Sequence, residues 1–398
     1  MRITFVSNFI NHHQIPLCNA LYAAEDVDFC FIQTQAMTDE RLRGGWAVDE
    51  RMFQYVRFYD REKEECKKRF LESEVVLLGW SMLPASLIEK RLKSHRLTFR
   101  ISERIYKEGR FKAASPRGLF TKYKEHIRYR KSPVYMLCAD AYAAGDFHLI
   151  GAYPGKLLRW GYFPETRRQA PKKWITPDLK KKICWAGRMI DWKHPEYAVK
   201  AARAMRNKGY DFTLEMIGDG PLRKALEQFT IREGLMKEVL FRSTLTPYEV
   251  RAAMESSHLF LFTSNFLEGW GAVLNEAMNA GCAVVASAEA GSVPYLMTDK
   301  VNGFVYNNGR YDDFEARVLR LINNEKTQIR LGNAAYDTIL DLWNAEVAAE
   351  RLLSFSRTFL EKGEAAPFPD EGPMSAAPLL RGVSFRRTRE EPMRQDHV

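Results

Sequence analysis

Apolar, β-rich runs alternate with amphipathic helical stretches along most of the chain, the pattern left by parallel strands covered with helices. In the first half, Ile3–Val6, Val27–Gln33, Val75–Leu78 and Leu97–Ile101 read as strands, with helical patterns between them. A second series opens at Lys182-Ile183-Cys184-Trp185-Ala186-Gly187-Arg188 and continues in Phe212–Ile217, Val239–Phe241, Leu259–Phe262 and Ala283–Ala286. Helices are predicted over His194–Lys208, Leu222–Gly234, Pro247–Ser256 and Gly271–Asn279, with more after Asn302-Gly303 and the last spanning Ala345 to Glu361. The polar, Pro-containing segment from Arg167 to Asp178 reads as a linker. The pattern thus predicts one α/β domain over 1–165 and a second over 166–342. A helix over 343–362 is expected to pack back toward the first domain, and a tail over 363–398, which has no helical or strand period, is expected to be disordered.

Composition narrows this little: 398 residues, 46% hydrophobic and 28% charged, suit two ordinary globular domains. No stretch approaches the roughly 18–20 apolar residues of a membrane-spanning helix. The opening Met1-Arg2-Ile3-Thr4-Phe5-Val6-Ser7 reads as a core strand rather than a secretory signal. Cys18, Cys30, Cys66, Cys138, Cys184 and Cys282 form no C-x2-C pair, which excludes zinc-ribbon and redox-motif readings. They are expected to be reduced core residues of a cytoplasmic protein. The net charge of +10 admits three kinds of partner: nucleic acid, an anionic membrane surface or a phosphorylated substrate. That charge is concentrated between Arg104 and Lys131, where Glu108 and Glu125 are the only acids and Tyr106, Phe111, Phe120, Tyr123 and Tyr129 are interleaved. This stretch is expected to attach the protein peripherally to anionic lipid at the inner face of the cell membrane; the plainer alternative is a solvated basic loop.

The chemistry concentrates in Glu268-Gly269-Trp270-Gly271-Ala272-Val273-Leu274-Asn275-Glu276, which follows the strand ending at Phe262. Parallel sheets bind ligands beyond the carboxyl ends of their strands. Gly269 and Gly271 let the backbone approach a ligand closely, and the N-terminus of the following helix favours a phosphate. From one turn into that helix, the Glu276 carboxylate can accept hydrogen bonds from two hydroxyls, as a ribose offers. Taken singly, Glu268 reads as a solvated loop acid and Glu276 as a surface helix residue; the Gly-Trp-Gly turn and the strand after it make them a site. Upstream, Arg188 and Lys193 flank Met189-Ile190-Asp191-Trp192 just past the first strand of the second series, where two cations suit a diphosphate leaving group. Met216-Ile217-Gly218-Asp219-Gly220-Pro221 is a strand and tight turn, and lacks the full dinucleotide-binding fingerprint. The small-residue loop Glu289-Ala290-Gly291-Ser292-Val293-Pro294 lines the same region.

From Ile183 to Gly303 these elements resemble glycosyltransferase family 4, retaining enzymes of the GT-B fold. The resemblance rests on Gly-Arg-x4-Lys, Ile-Gly-Asp-Gly-Pro, the E-x7-E pair and the following Asn-Gly-Phe. It implies an α/β chain of two Rossmann-like domains whose parallel sheets face each other across a cleft, the first binding acceptor and the second a nucleotide-sugar. Carried onto this sequence, it implies that Arg188 and Lys193 hold the donor diphosphate, Glu268 contacts the transferred sugar and Glu276 the ribose. The backbone of Gly271, Ala272 and Val273 would cap sugar and phosphate, with Gly218 and Trp270 also at the donor. The leaving phosphate oxygen would take the acceptor's proton on the same face, without a separate general base. The implied reaction is hexosyl transfer with retention, from a UDP- or GDP-linked donor to a glycan or lipid-linked acceptor, with no metal or other cofactor expected. Ser7 to Pro16, Glu103-Arg104 and Trp160-Gly161-Tyr162-Phe163 are similar to a bacterial surface-polysaccharide subgroup. There the usual Gly-Gly turn and histidine are replaced, and Asn11, His12, His13 and Glu103 are the candidates for sugar or acceptor contacts.

Asp26-Val27-Asp28 matches a metal-holding D-x-D pattern but enters a strand, so no metal is assigned to it. Rival readings are a sugar-nucleotide epimerase or a phosphorylase on the same fold. From another class, a basic nucleic-acid-binding protein is suggested by Arg104–Lys131, although no recognition motif accompanies that stretch.

Overall fold

A computed structural model describes residues 1–38, 48–49, 52–168, 180–307 and 309–382. Met1–Glu165 with Trp343–Gly382 form one unit and Thr166–Leu342 the other. Most of the expected linker, from 169 onward, and the tail beyond 382 lie outside the described residues.

The first unit is built on seven parallel strands: β1 (Arg2–Ser7), β2 (Asp28–Gln33), β3 (Val56–Phe58), β4 (Val75–Leu78), β5 (Thr98–Ser102), β6 (Val134–Cys138) and β7 (Leu157–Arg159). Their order is β3-β2-β1-β4-β5-β6-β7. Strands β1, β4 and β6 are almost wholly buried rather than alternating, as expected of a parallel sheet covered on both faces. Its helices are α1 (Ile15–Tyr22), α2 (Lys63–Glu72), α3 (Ala85–Leu92), α4 (Pro116–Glu125) and α5 (Ala143–Leu149). A last helix, Ala345–Lys362, also belongs to this unit and packs on α1. It starts at Asn344, whose side chain accepts the Val347 N–H, and stops at Gly363 with φ +73°. Its buried face is Ala345, Ala348, Ala349, Leu352 and Leu353, with Phe355 against Phe99 and Tyr135. Each fully buried Leu or Phe contributes about 1.5–3 kcal/mol.

The second unit carries six parallel strands: β8 (Lys181–Ala186), β9 (Phe212–Ile217), β10 (Val239–Arg242), β11 (Leu259–Phe262), β12 (Ala283–Ser287) and β13 (Phe304–Tyr306), in the order β10-β9-β8-β11-β12-β13. Helices α6 (Pro195–Asn207), α7 (Arg223–Arg232), α8 (Pro247–Glu255), α9 (Val273–Asn279), α10 (Val293–Leu296), α11 (Tyr311–Ile322) and α12 (Glu325–Asp341) accompany them; in chain order the Ala345–Lys362 helix is α13. Helix α8 opens with a reciprocal Thr246–Glu249 capping box, and α6 with Pro195 at its first position.

Four short strands, β3, β6, β7 and β13, are absent from the pattern-based expectation. Three of them have only three residues, and the fourth, β6, is buried throughout and so shows no alternation. The tail also differs from expectation. Residues 374–377 run antiparallel to β7, through Met374 N–H to Arg159 O (2.9 Å), Arg159 N–H to Ser375 O (2.7 Å) and Ala377 N–H to Leu157 O (2.9 Å). All six cysteines are free and buried. No helix among the described residues is long and apolar enough to cross a membrane.

Candidate functional site

In the second unit the strand order turns around between β8 and β11, and parallel sheets bind ligands in the crevice beyond such a reversal. The two strands pair only through Leu259 with Ile183 and Phe260 with Cys184. Beyond those positions a side-chain bond, Trp185 Nε1–H to Thr263 Oγ1 at 2.9 Å, replaces the ladder. Thr263 Oγ1 donates in turn to the Lys193 carbonyl (2.6 Å), and the Asn265 N–H donates to Trp192 O (2.8 Å). The loops after β8 and β11 are thus sewn together.

Lys193 and Glu268 meet at this seam. The Lys193 ammonium donates to Glu268 Oε2 at 2.5 Å, and Ser264 Oγ donates to the same oxygen at 3.1 Å. The two side chains are 13% and 16% exposed, so the pair is largely withdrawn from water and its field is weakly screened. The stem of Lys193 lies back along Gly187, where an added Cβ would come within 3.2 Å of its Cδ. Arg188 is exposed on the same loop, its guanidinium 5.7 Å from the centre of the Trp192 ring, within cation–π range.

Two glycines permit this packing. Gly218, at φ +130°, lies so close to the β8 loop that a Cβ would sit 2.0 Å from Gly187 O. Gly271, at φ +78°, presses on Phe262, whose ring a Cβ would meet at 2.5 Å. No side chain caps the start of α9 at Ala272, and the N–H groups of a helix's first turn have no acceptor within the helix. Trp270 is buried, its Nε1–H bonded to Asn275 Oδ1 at 2.8 Å.

Glu276 sits in the first turn of α9. Burial pushes its carboxyl up to about 7, against the pull of Arg251 and Arg167. These two arginines, with Glu255 and Asn279, form a cluster that the sequence pattern did not single out. Arg167 pairs with Glu255 at 2.6 Å, the Arg167 N–H reaches Asn279 Oδ1 at 2.7 Å, and the Arg251 guanidinium bonds the same oxygen. Thr263, Ser264 and Asn265 were missed as well; the only available signal was a run of small polar residues directly after a buried strand.

In the first unit the candidate residues also gather beyond the carboxyl ends of the strands. The rings of His12 and His13 are 3.9 Å apart, and His13 stacks on Tyr162 at 6.2 Å. The Tyr162 hydroxyl donates to Glu103 Oε1 at 2.7 Å, and Lys107 bonds the other carboxylate oxygen at 2.7 Å. Asn11 instead organises its own turn, its Oδ1 accepting the His13 N–H at 3.0 Å. The basic stretch that begins at Arg104 proves heterogeneous. Arg104 is buried against Asp146, and Tyr106 and Tyr129 are core residues.

Residues 166–338 match the family model for glycosyl transferases group 1. The likeness to known proteins concentrates in this second unit. The poly(ribitol-phosphate) α-N-acetylglucosaminyltransferase of Staphylococcus aureus is 24% identical over 186 residues, 46% of this chain and 36% of that one. The amylovoran biosynthesis glycosyltransferase of Erwinia amylovora is 26% identical over 177 residues, 43% of each chain. The chain therefore spans less than half the length of either relative. Among solved structures, HepE of Anabaena in complex with UDP superposes with a TM-score of 0.63 at 14% identity, over 89% of this chain and 99% of that one. The likeness shows the fold, two parallel-sheet Rossmann-like domains of the GT-B type.

Proposed function

We propose that the protein is a retaining glycosyltransferase of family 4. It moves a hexosyl unit from a UDP- or GDP-linked sugar to a glycan or lipid-linked acceptor during cell-surface polysaccharide synthesis. The observation that carries this reading is the Lys193–Glu268 pair at the β8/β11 reversal, at the mouth of a group 1 domain. In this reading Arg188 and Lys193 hold the donor diphosphate and stabilise the charge that grows as the glycosidic bond breaks. The Glu268 carboxylate orients the transferred sugar, and Glu276 accepts ribose hydroxyls. Backbone N–H groups of Gly271, Ala272 and Val273 meet sugar and phosphate oxygens, with Gly218 and Trp270 shaping the pocket around them. On the acceptor side, Glu103, His12, His13 and Asn11 are assigned to sugar contacts. The relatives' names support a polysaccharide setting, and the neighbour's bound UDP supports a nucleotide donor.

A thermal-shift panel of UDP-, GDP- and ADP-sugars tests the reading. A ligand at a hundred times its Kd adds about 2.7 kcal/mol to the folded state, so one nucleotide class is expected to raise the melting temperature, and Glu276→Ala to lose the shift. NMR of the transferred sugar should then show the donor's own anomeric configuration. No shift with any nucleotide-sugar would refute the donor site, and an inverted anomer would refute retention.

A further inference from the structure

Helix α4 has no buried residue, and its apolar side chains face outward. Leu119, Phe120 and Tyr123 share one arc by their helical spacing and are 37%, 59% and 51% exposed. Phe111, in the 3-10 turn Arg110–Ala114 just before the helix, is 64% exposed. An amphipathic helix of a globular domain normally turns such an arc to the core; α4 presents it to the surroundings.

Basic residues border the arc. Lys124 lies 4.3 Å from the centre of the Phe120 ring. Lys112, Lys122 and Arg128 are engaged by Glu108, Glu125 and Glu89. Arg117, Lys124, Arg130 and Lys131 are exposed and have no acidic partner among the described residues. The platform is also rooted. Asp146, fully buried, pairs with Arg104 and Arg110 and accepts the Tyr106 N–H at 3.0 Å, and Ser115 caps the helix. The aromatic arc is therefore mounted on a fixed base.

We infer that this element docks on an anionic lipid bilayer. The helix lies in the headgroup layer, Phe111, Leu119, Phe120 and Tyr123 enter the acyl boundary, and Arg117, Lys124, Arg130 and Lys131 meet lipid phosphates. The unpaired cations select an anionic surface. The outward aromatics select a bilayer over a soluble polyanion, whose charged backbone offers such rings nothing apolar. Docking is independent of the donor-site reading, since it requires no sugar transfer.

Co-sedimentation of the full chain with phosphatidylcholine vesicles, with and without phosphatidylglycerol, tests the inference. Pelleting is expected only with the anionic lipid and is expected to weaken as salt rises. Each basic residue at such a surface changes the partition about five-fold, so R117Q/K124Q/R130Q/K131Q is expected to weaken it several-hundred-fold. F120S/Y123S should keep low-salt binding and lose what persists at high salt. Melting curves of both variants should match the parent, because every altered side chain is exposed. If the charge variant misfolds, the salt series on the unaltered chain and the aromatic variant carry the test. Absence of pelleting, equal pelleting with neutral vesicles, or parental binding by the folded charge variant would each overturn the inference.

Discussion

Replacing Lys193 by methionine removes the cation from Glu268 Oε2, to which Ser264 still donates, in a position where the carboxylate side chain is only 16% exposed. At 2.5 Å and an effective dielectric near 20, the lost attraction is about 7 kcal/mol. Much of it offsets the desolvation of two charges, so breaking such a pair from one side costs about 3 kcal/mol net. In a domain of this size that lowers the melting temperature by roughly 6–12 °C. Glu268→Gln strands the ammonium in the same way and is expected to cost a similar amount. The double variant K193M/E268Q removes both charges of the pair together and should cost only about 1 kcal/mol. Urea unfolding of the four proteins, followed by tryptophan fluorescence, gives the coupling energy. Additivity to within about 0.5 kcal/mol would mean that the two groups do not support one another. Activity should behave differently. The double variant regains stability yet transfers no sugar, because the proposed chemistry requires the cation and the carboxylate themselves. A double variant that recovered both would refute the assignment of this pair to the reacting centre.

Arg188→Ala is expected to lower kcat at saturating donor, since leaving-group charge is greatest in the transition state; a rise in KM alone, seen in steady-state kinetics, would assign Arg188 to ground-state binding only. Because burial raises the Glu276 carboxyl to about 7, the folded state holds a proton that the unfolded chain releases near 4.5. The wild type should therefore lose stability relative to Glu276→Gln as pH rises from about 5 through 7, and parallel melting curves across that window would contradict this. Gly218→Ala, with a Cβ 2.0 Å from Gly187 O and φ at +130°, is expected to cost about 2–4 kcal/mol, measured by urea unfolding.

Long buried strands, capped helices and glycine turns could be read directly from the chain, because each leaves its signal within about ten residues. That covers β8, β9, β11 and β12 and the loops that carry Lys193 and Glu268. Contacts could not be read. Lys193 and Glu268 are 75 residues apart, and only the common habit of parallel sheets suggested that their loops meet. Arg104 finds Asp146 42 residues away. By composition it looked like part of a basic surface, whereas its burial depends on a partner that no local pattern announces. Tyr106 and Tyr129 were misread with it, since an aromatic between lysines has the same local pattern whether it faces the core or the solvent. Residues 374–377 lack a strand's alternation because their order comes from the free edge of β7.

The first unit is assembled from two separated pieces of chain, Met1–Glu165 and Trp343–Gly382, while Thr166–Leu342 is continuous. During synthesis the ribosome therefore delivers the start of the first unit long before its end. Domains usually finish in the order they emerge; here the described residues of the later unit all precede the end of the first. Until α13 arrives, Phe99 and Tyr135 lack the cover of Phe355. Until residues 374–377 arrive, the edge of β7 stands open, the kind of edge on which chains aggregate. A stop introduced ahead of α13 would thus injure the part of the protein that was made first.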